Sequence, residues 1–207
     1  MSKILLLEEY LSQLEFLNRR ENMSLVKLTE GQTEKIQIDE GLVVLNLGEE
    51  DEMLLGPTRG GVEFTSTPSI RDIEYDGRVG KTAGLQVKDA EDVTLKVITL
   101  NCSQEILAMA IPNAVINKDT GKIEQGDFGV IPKEKYIKKI SVITKTLDNK
   151  FKILNVRNLL HESAFNFKTV QKAENEHNLE MIAHYDYTDT SIKLWDIADS
   201  DTNPIAG

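Results

Sequence analysis

The sequence predicts an α+β chain, mainly antiparallel β, with one short internal helix and an N-terminal helix. Three observations carry this. Apolar and polar residues alternate with period two through most of the chain, the period at which successive strand side chains point to opposite faces. Clusters of Gly, Pro, Asp and Glu punctuate these stretches every ten residues or so, as turns do between antiparallel strands. Helical spacing is confined to two places, the first twenty-odd residues and a short run after Cys102.

In chain order, residues 1–22 place Ile4, Leu7, Leu11, Leu14 and Leu17 on one helical stripe. Such a stripe needs a surface to cover it, and docking on the same or an adjacent subunit is expected, because an isolated helix of this length is marginal in water. The apolar run Ile4 to Leu7 is broken by Glu8 and Glu9, too short for a signal peptide or a membrane span. Met23-Ser24-Leu25 reads like the start of a protein, so residues 1–22 are taken as an extension, residues 23–198 as one domain and residues 199–207 as a flexible tail. Strands are expected at Leu25 to Thr29, Leu42 to Leu47, Gly61 to Thr67, Ile70 to Tyr75 and Asp92 to Leu100. Ser103 is placed to cap a helix over Gln104 to Ala110, which the Ile111-Pro112 step ends. Asn117 to Lys135 is polar and glycine-bearing, a long excursion or a surface hairpin. Ile140 to Thr146 and Phe151 to Val156 flank Leu147-Asp-Asn-Lys150 as a hairpin. Lys168 to Asn178 is either helix or loop, and Leu179 to Tyr185 is the last expected strand.

The chain has 207 residues and a net charge of -10. That length fits one sizeable domain or one domain with an extension. Strong negative charge argues against tight nucleic-acid binding, which draws its affinity from Lys and Arg displacing phosphate counterions. The single cysteine, Cys102, excludes an intrachain disulfide and any multi-thiolate metal site within one chain, and LNCSQEIL suggests a buried small hydrophobe.

Several motifs imitate chemistry and break on inspection. Gly80-Lys81-Thr82 ends like a phosphate-binding loop, but Tyr75 stands where its first glycine belongs. Asp199, Asp201 and Asn203 imitate the opening ligands of a calcium loop until Pro204 replaces the required glycine. His161, His177 and His184 have no metal-ligand spacing, and His184 is expected to point outward by strand phase. No GxSxG, CxxC or GxGxxG is present. Neither catalytic residues, metal nor cofactor is therefore expected, and the chain is not expected to be an enzyme. If Ile70 to Asp76 is a strand, Asp72, Glu74 and Asp76 share one face, a column of acid whose repulsion marks a surface meant to be negative. The segment from Gly77 to Glu91, with Arg78, Lys81, Gln86, Lys88 and Asp89, reads as a loop longer than a hairpin needs, and such loops tend to carry function.

The run Gly56-Pro-Thr-Arg-Gly-Gly-Val-Glu-Phe64, then Arg71-Asp-Ile-Glu-Tyr-Asp-Gly77, Lys81-Thr-Ala-Gly-Leu85 and Ile111-Pro-Asn-Ala114, resembles the major tail tube proteins of long-tailed bacteriophages and prophages. Ala183-His-Tyr-Asp-Tyr-Thr-Asp189 with Leu194-Trp-Asp-Ile197 is similar to the way that family closes. The resemblance covers Met23 to Ile197 and leaves residues 1–22 outside. It implies a small β-sandwich or barrel-like virion subunit, built in the host cytoplasm, that self-assembles into hexameric rings. Those rings stack into a tube around a tape-measure protein, meet tail-end proteins, and conduct DNA at ejection without binding it specifically. On that reading Asp72, Glu74 and Asp76 face the lumen and the Gly77 to Glu91 loop contacts the neighbouring ring. No membrane is involved. The alternative is a monomeric β-rich domain that binds a ligand or a cell surface.

Overall fold

The computed structural model describes residues 30–38, 41–117, 119–169 and 171–205. The expected docking stripe of Ile4, Leu7, Leu11, Leu14 and Leu17, and the strand expected at Leu25 to Thr29, lie outside the described residues. The chain divides after Ile36 into two units. The described part of the first is a single helical turn, Glu30–Thr33, closed where Ile36 N–H donates to the Thr33 carbonyl at 3.1 Å.

The second unit is mostly antiparallel β-sheet. Its strands are β1 (Leu42–Leu45), β2 (Met53–Leu54), β3 (Thr58–Asp72), β4 (Gln86–Thr99), β5 (Val115–Asn117), β6 (Lys122–Glu124), β7 (Ile137–Lys145), β8 (Phe151–His161), β9 (His177–Ala183) and β10 (Trp195–Ser200). The main sheet runs β2-β1-β7-β8-β9-β4-β3, with β10 also on β8, while β5 and β6 form a separate hairpin. Strand β8 changes neighbours along its length. Residues 151–156 pair with β10 and residues 159–161 with β9. The change falls at Arg157 and Asn158, and Asn158 has a positive φ of 52°. There Arg157 N–H donates to the Leu194 carbonyl (2.8 Å) and the Asn158 carbonyl accepts from His184 N–H (2.9 Å), so the bend leaves neither strand's backbone unpaired.

Alternation along these strands builds the core. Val43 and Leu45, Val93, Leu95 and Val97, Leu179 and Met181 all turn to the same interior and are buried, joined by Ile140, Val156 and Leu159. The helix Gln104–Met109 closes one end of that interior with Ile106. Ser103 occupies its N-cap position with extended backbone, yet its side chain makes no capping hydrogen bond. Instead its own N–H donates to Asn101 Oδ1 at 3.0 Å. Asn101 also donates from Nδ2 to the Leu55 carbonyl (3.0 Å), so this asparagine organises the exit from β4.

Several expectations need correction. The strands expected at Gly61 to Thr67 and Ile70 to Tyr75 are one fifteen-residue strand that ends at Asp72. Pro68 does not interrupt it, because among the described residues β3 is the sheet's last strand and its outer N–H positions have no ladder to serve. Strand β4 begins at Gln86, six residues before the expected Asp92. The last expected strand, Leu179 to Tyr185, lies two residues earlier, at His177–Ala183. Asp199 and Ser200, assigned to the tail, belong to β10 and pair with Lys152 and Phe151. Cys102 is exposed rather than buried, because it sits in the polar Asn101 to Ser103 link and not on a strand face. The described residues of Lys168 to Asn178 are irregular up to the start of β9 at His177.

Candidate functional site: an assembly surface

Strands β3 and β4 pair over their full length, but β9 supports β4 only from Thr94 to Thr99. Beyond that the hairpin leaves the sheet as a two-stranded ribbon, Thr67–Asp72 against Gln86–Asp92. Pro68, Ser69, Ile70 and Arg71 are exposed in succession, as are Lys88, Asp89 and Ala90 on the opposite strand. Both faces of the ribbon therefore meet solvent. A lone two-stranded hairpin is marginally stable in water.

A small polar cluster ties the tip together. Ile73 N–H donates to the Leu85 carbonyl (2.8 Å), and Arg78 reaches back to Asp72 (3.0 Å) and to Glu74 (3.8 Å) while donating to the Gly80 carbonyl (2.6 Å). Gln86 donates to Asp72 (2.9 Å); this bond, with the Arg78 guanidinium, holds the Asp72 carboxyl below the usual range. The expected column of acid is corrected on two counts. The strand ends at Asp72, so Glu74 and Asp76 are loop residues and no shared strand face exists, and Arg78 neutralises Asp72. Glu74 remains 89% exposed. Of the residues expected in one loop, Arg78 and Lys81 are in it, whereas Gln86, Lys88 and Asp89 belong to β4. Asp89 is spent on Arg71 (2.9 Å) and Lys88 on Glu91 (2.5 Å). From Arg71 to Glu91 four basic residues face five acidic ones, so the ribbon is nearly neutral and the chain's charge of -10 resides elsewhere.

The ribbon's root is anchored by Glu91. Its carboxylate, 13% exposed, accepts from Ser66 Oγ on β3, from Lys88 Nζ on β4 and from Trp195 Nε1 on β10 (3.2 Å). Lys88 first, then Ser66 and Trp195, hold it down to about 2. Beneath it the rings of Phe64 and Trp195 meet edge to face with centroids 5.3 Å apart.

A second surface lies beside that root. Tyr185 lines a cleft against Lys88 to Glu91 and also a groove of about 270 Å³ with Tyr136, Tyr187, Val130 and Ile131. Val130 is 94% exposed, Phe128 97% and Tyr187 85%, an unusual concentration of bare apolar area. The Phe128 loop is held from below, where Asn113 Nδ2 donates to the Asp127 carbonyl (2.9 Å). Gly126 packs so closely on Asn113 that a Cβ there would stand 1.8 Å from its carbonyl oxygen. The groove's charges are paired within it. Lys133 donates to Asp186, which also accepts from Thr188 N–H (2.9 Å) and Oγ1 (2.6 Å) and is held far below an ordinary aspartate. The rings of His184 and Tyr136 meet edge to face with centroids 5.2 Å apart, and His184 Nε2 lies 2.8 Å from Glu162. The outward placement expected of His184 by strand phase does not hold: the strand ends at Ala183, His184 is half-buried and Tyr185 is the exposed residue.

Sequence reasoning missed two buried histidines, His161 and His177. His161 Nε2 lies 3.0 Å from Ser163 Oγ, a nucleophile-like pair, and burial lowers the basicity of this imidazole. No cluster of three acid, His or Cys side chains that could hold a metal occurs among the described residues. No described helix is long and apolar enough to cross a membrane. No protein-family model matches this chain, and no curated protein does.

Proposed function

We propose that this chain is a structural subunit that works by self-association, as a tail tube protein does: copies join into rings, hexameric by the resemblance, and the rings stack into a tube whose negatively charged lumen conducts DNA.

 The ribbon carries this reading: a hairpin exposed on both faces, rooted rigidly by Glu91 and bearing apolar side chains at its tip, is a structure that gains stability when another chain covers it. The long outer edge of β3, which has no strand beside it among the described residues, offers a further place for a neighbouring sheet. The contact of Phe64 with Trp195 across the interior supports the small sandwich that the resemblance implies. Of the original column, Asp72 is half-buried against Arg78, while Glu74, 89% exposed and 3.8 Å from the same guanidinium, and exposed Asp76 are the acids left to face a DNA-conducting lumen. Tape-measure and tail-end proteins as partners, and a place in the virion tail, come with the same reading.

Light scattering and negative-stain microscopy on the purified full chain test it. Rings or tubes that grow with concentration are the expected result. A second reading, a monomeric domain that binds a ligand or a cell surface, is favoured by the aromatic groove at Tyr185 and Tyr187. A compact monomer at every concentration selects that reading instead.

A further inference from the structure

The ribbon tip and the aromatic groove are two apolar surfaces on one chain, and each is uncovered among the described residues. At the tip Val79 is completely exposed, with Ile70, Ile73 and Tyr75 largely so. At the groove the exposed residues are Phe128, Val130, Tyr185 and Tyr187. The groove adjoins the ribbon's root, since Tyr185 also lines the cleft against Lys88 to Glu91. The tip stands beyond the paired run Thr67 to Asp72, about 20 Å further out at some 3.3 Å per residue. A paired ribbon cannot bring its own tip back to its root without breaking the ladder between Thr67–Asp92 and Asp72–Gln86. The two surfaces are thus out of each other's reach within a chain and available to each other between chains.

Their chemistry matches. The charges closest to each apolar surface are paired, Arg78 with Asp72 at the tip and Lys133 with Asp186 and His184 beside Glu162 at the groove, while Glu74, Asp76 and Lys81 at the tip are exposed and fall at the rim of such a contact. Bringing the two together removes apolar area from water without breaking these pairs, provided that the exposed Glu74, Asp76 and Lys81 keep their water at the rim. The eight side chains named above expose on the order of 1,000 Å² in all, near the lower bound for a specific interface. Because the tip and the groove are different patches, the contact is heterologous, the kind that closes into rings or propagates as a stack.

We infer that the ribbon tip around Val79 of one copy seats in the Tyr185–Tyr187 groove of the next copy. This rests on the self-association reading and adds to it the surface that receives the ribbon.

Cysteine pairing on the full chain tests the seat. Exposed Cys102 is first replaced (Cys102→Ser) so that it cannot compete. Val79→Cys and Tyr187→Cys are then made in separate chains, both at exposed positions where folding does not depend on the side chain. On mixing and mild oxidation, the two chains together form a disulfide dimer about tenfold faster than either alone, through the high local concentration that a docked pair creates. Equal rates for Val79→Cys alone and for the mixture mean tip-to-tip pairing and overturn the inference. So does a mixture no faster than its components while light scattering on the same samples shows assembly; in that case self-association stands and only the seat is wrong. Monomers at every concentration remove self-association and the seat together. As a second measure, Val79→Glu leaves the melting temperature unchanged and reduces assembly, and assembly equal to that of the unsubstituted chain also overturns the inference.

Discussion

Glu91 is the residue on which the ribbon's footing depends. It joins three strands through Ser66, Lys88 and Trp195, and it does so as a carboxylate. Its carboxyl is held down to about 2 in the folded chain, below its ordinary 4.5, so its contribution is present above pH 4.5 and is lost as the pH falls from there towards 2. Glu91→Gln keeps the shape and removes the charge. Chemical denaturation at neutral pH should show a loss of about 2 kcal/mol, the scale of hydrogen bonds to a charged group. Between pH 4.5 and 2 the substituted protein should lose less stability than the unsubstituted one, and equal slopes would show that Glu91 is not the group being titrated. Asn158 is a second test at this scale. Its positive φ sits where β8 changes neighbours, and a β-branched residue tolerates that conformation poorly. Asn158→Val should lower stability by about 1 to 2 kcal/mol, read in the same denaturation experiment.

Among the elements, what could be read from the sequence follows burial. The β7–β8 hairpin was legible because both strands are well buried, β7 on both faces from Ile140 to Thr144, and the turn carries Asp148 and Asn149, the latter at φ 64°. The start of β4 was not, because Gln-Val-Lys-Asp-Ala-Glu has solvent on both sides and no burial to impose an apolar alternation. Strand β10 escaped for a related reason: only Trp195 packs on the core, Ile197 is largely exposed, and three of the other four residues of Trp-Asp-Ile-Ala-Asp-Ser are polar. The acid column failed because period two says which residues share a face but not where pairing stops, and Arg78 closes on Asp72 from a loop that no periodicity describes. The groove drew residues from segments far apart in sequence, and only the Tyr185 to Asp189 run of the resemblance pointed at it. The ribbon makes an element-scale prediction. Pro68 and Glu91 are register partners, so replacing Ser69 to Ala90 with Asn-Gly joins them by a two-residue turn. The shortened protein should keep its circular dichroism and a cooperative melt, since the core lies below the cut, but should no longer assemble. Assembly at the normal concentration would remove the ribbon from the interface.

At the scale of the whole molecule, a folded interior sits beside two surfaces that remain apolar in the single chain. The interior is ordinary: Leu95 is fully buried in it, and Leu95→Ala should cost about 2 to 5 kcal/mol in a denaturation experiment without altering what the surface recognises. The exposed ribbon and groove are what an isolated domain would be expected to avoid. Self-association gives them a purpose, and it is the claim from which the ring, the lumen and the ribbon's seat all follow. Sedimentation velocity of the full chain across a wide concentration range, with negative-stain images of the same samples, tests it most directly. The account predicts a shift from monomer to large closed or stacked species as concentration rises, visible as rings or tubes. A single monomeric species throughout, with no ring or tube in any image, would contradict it.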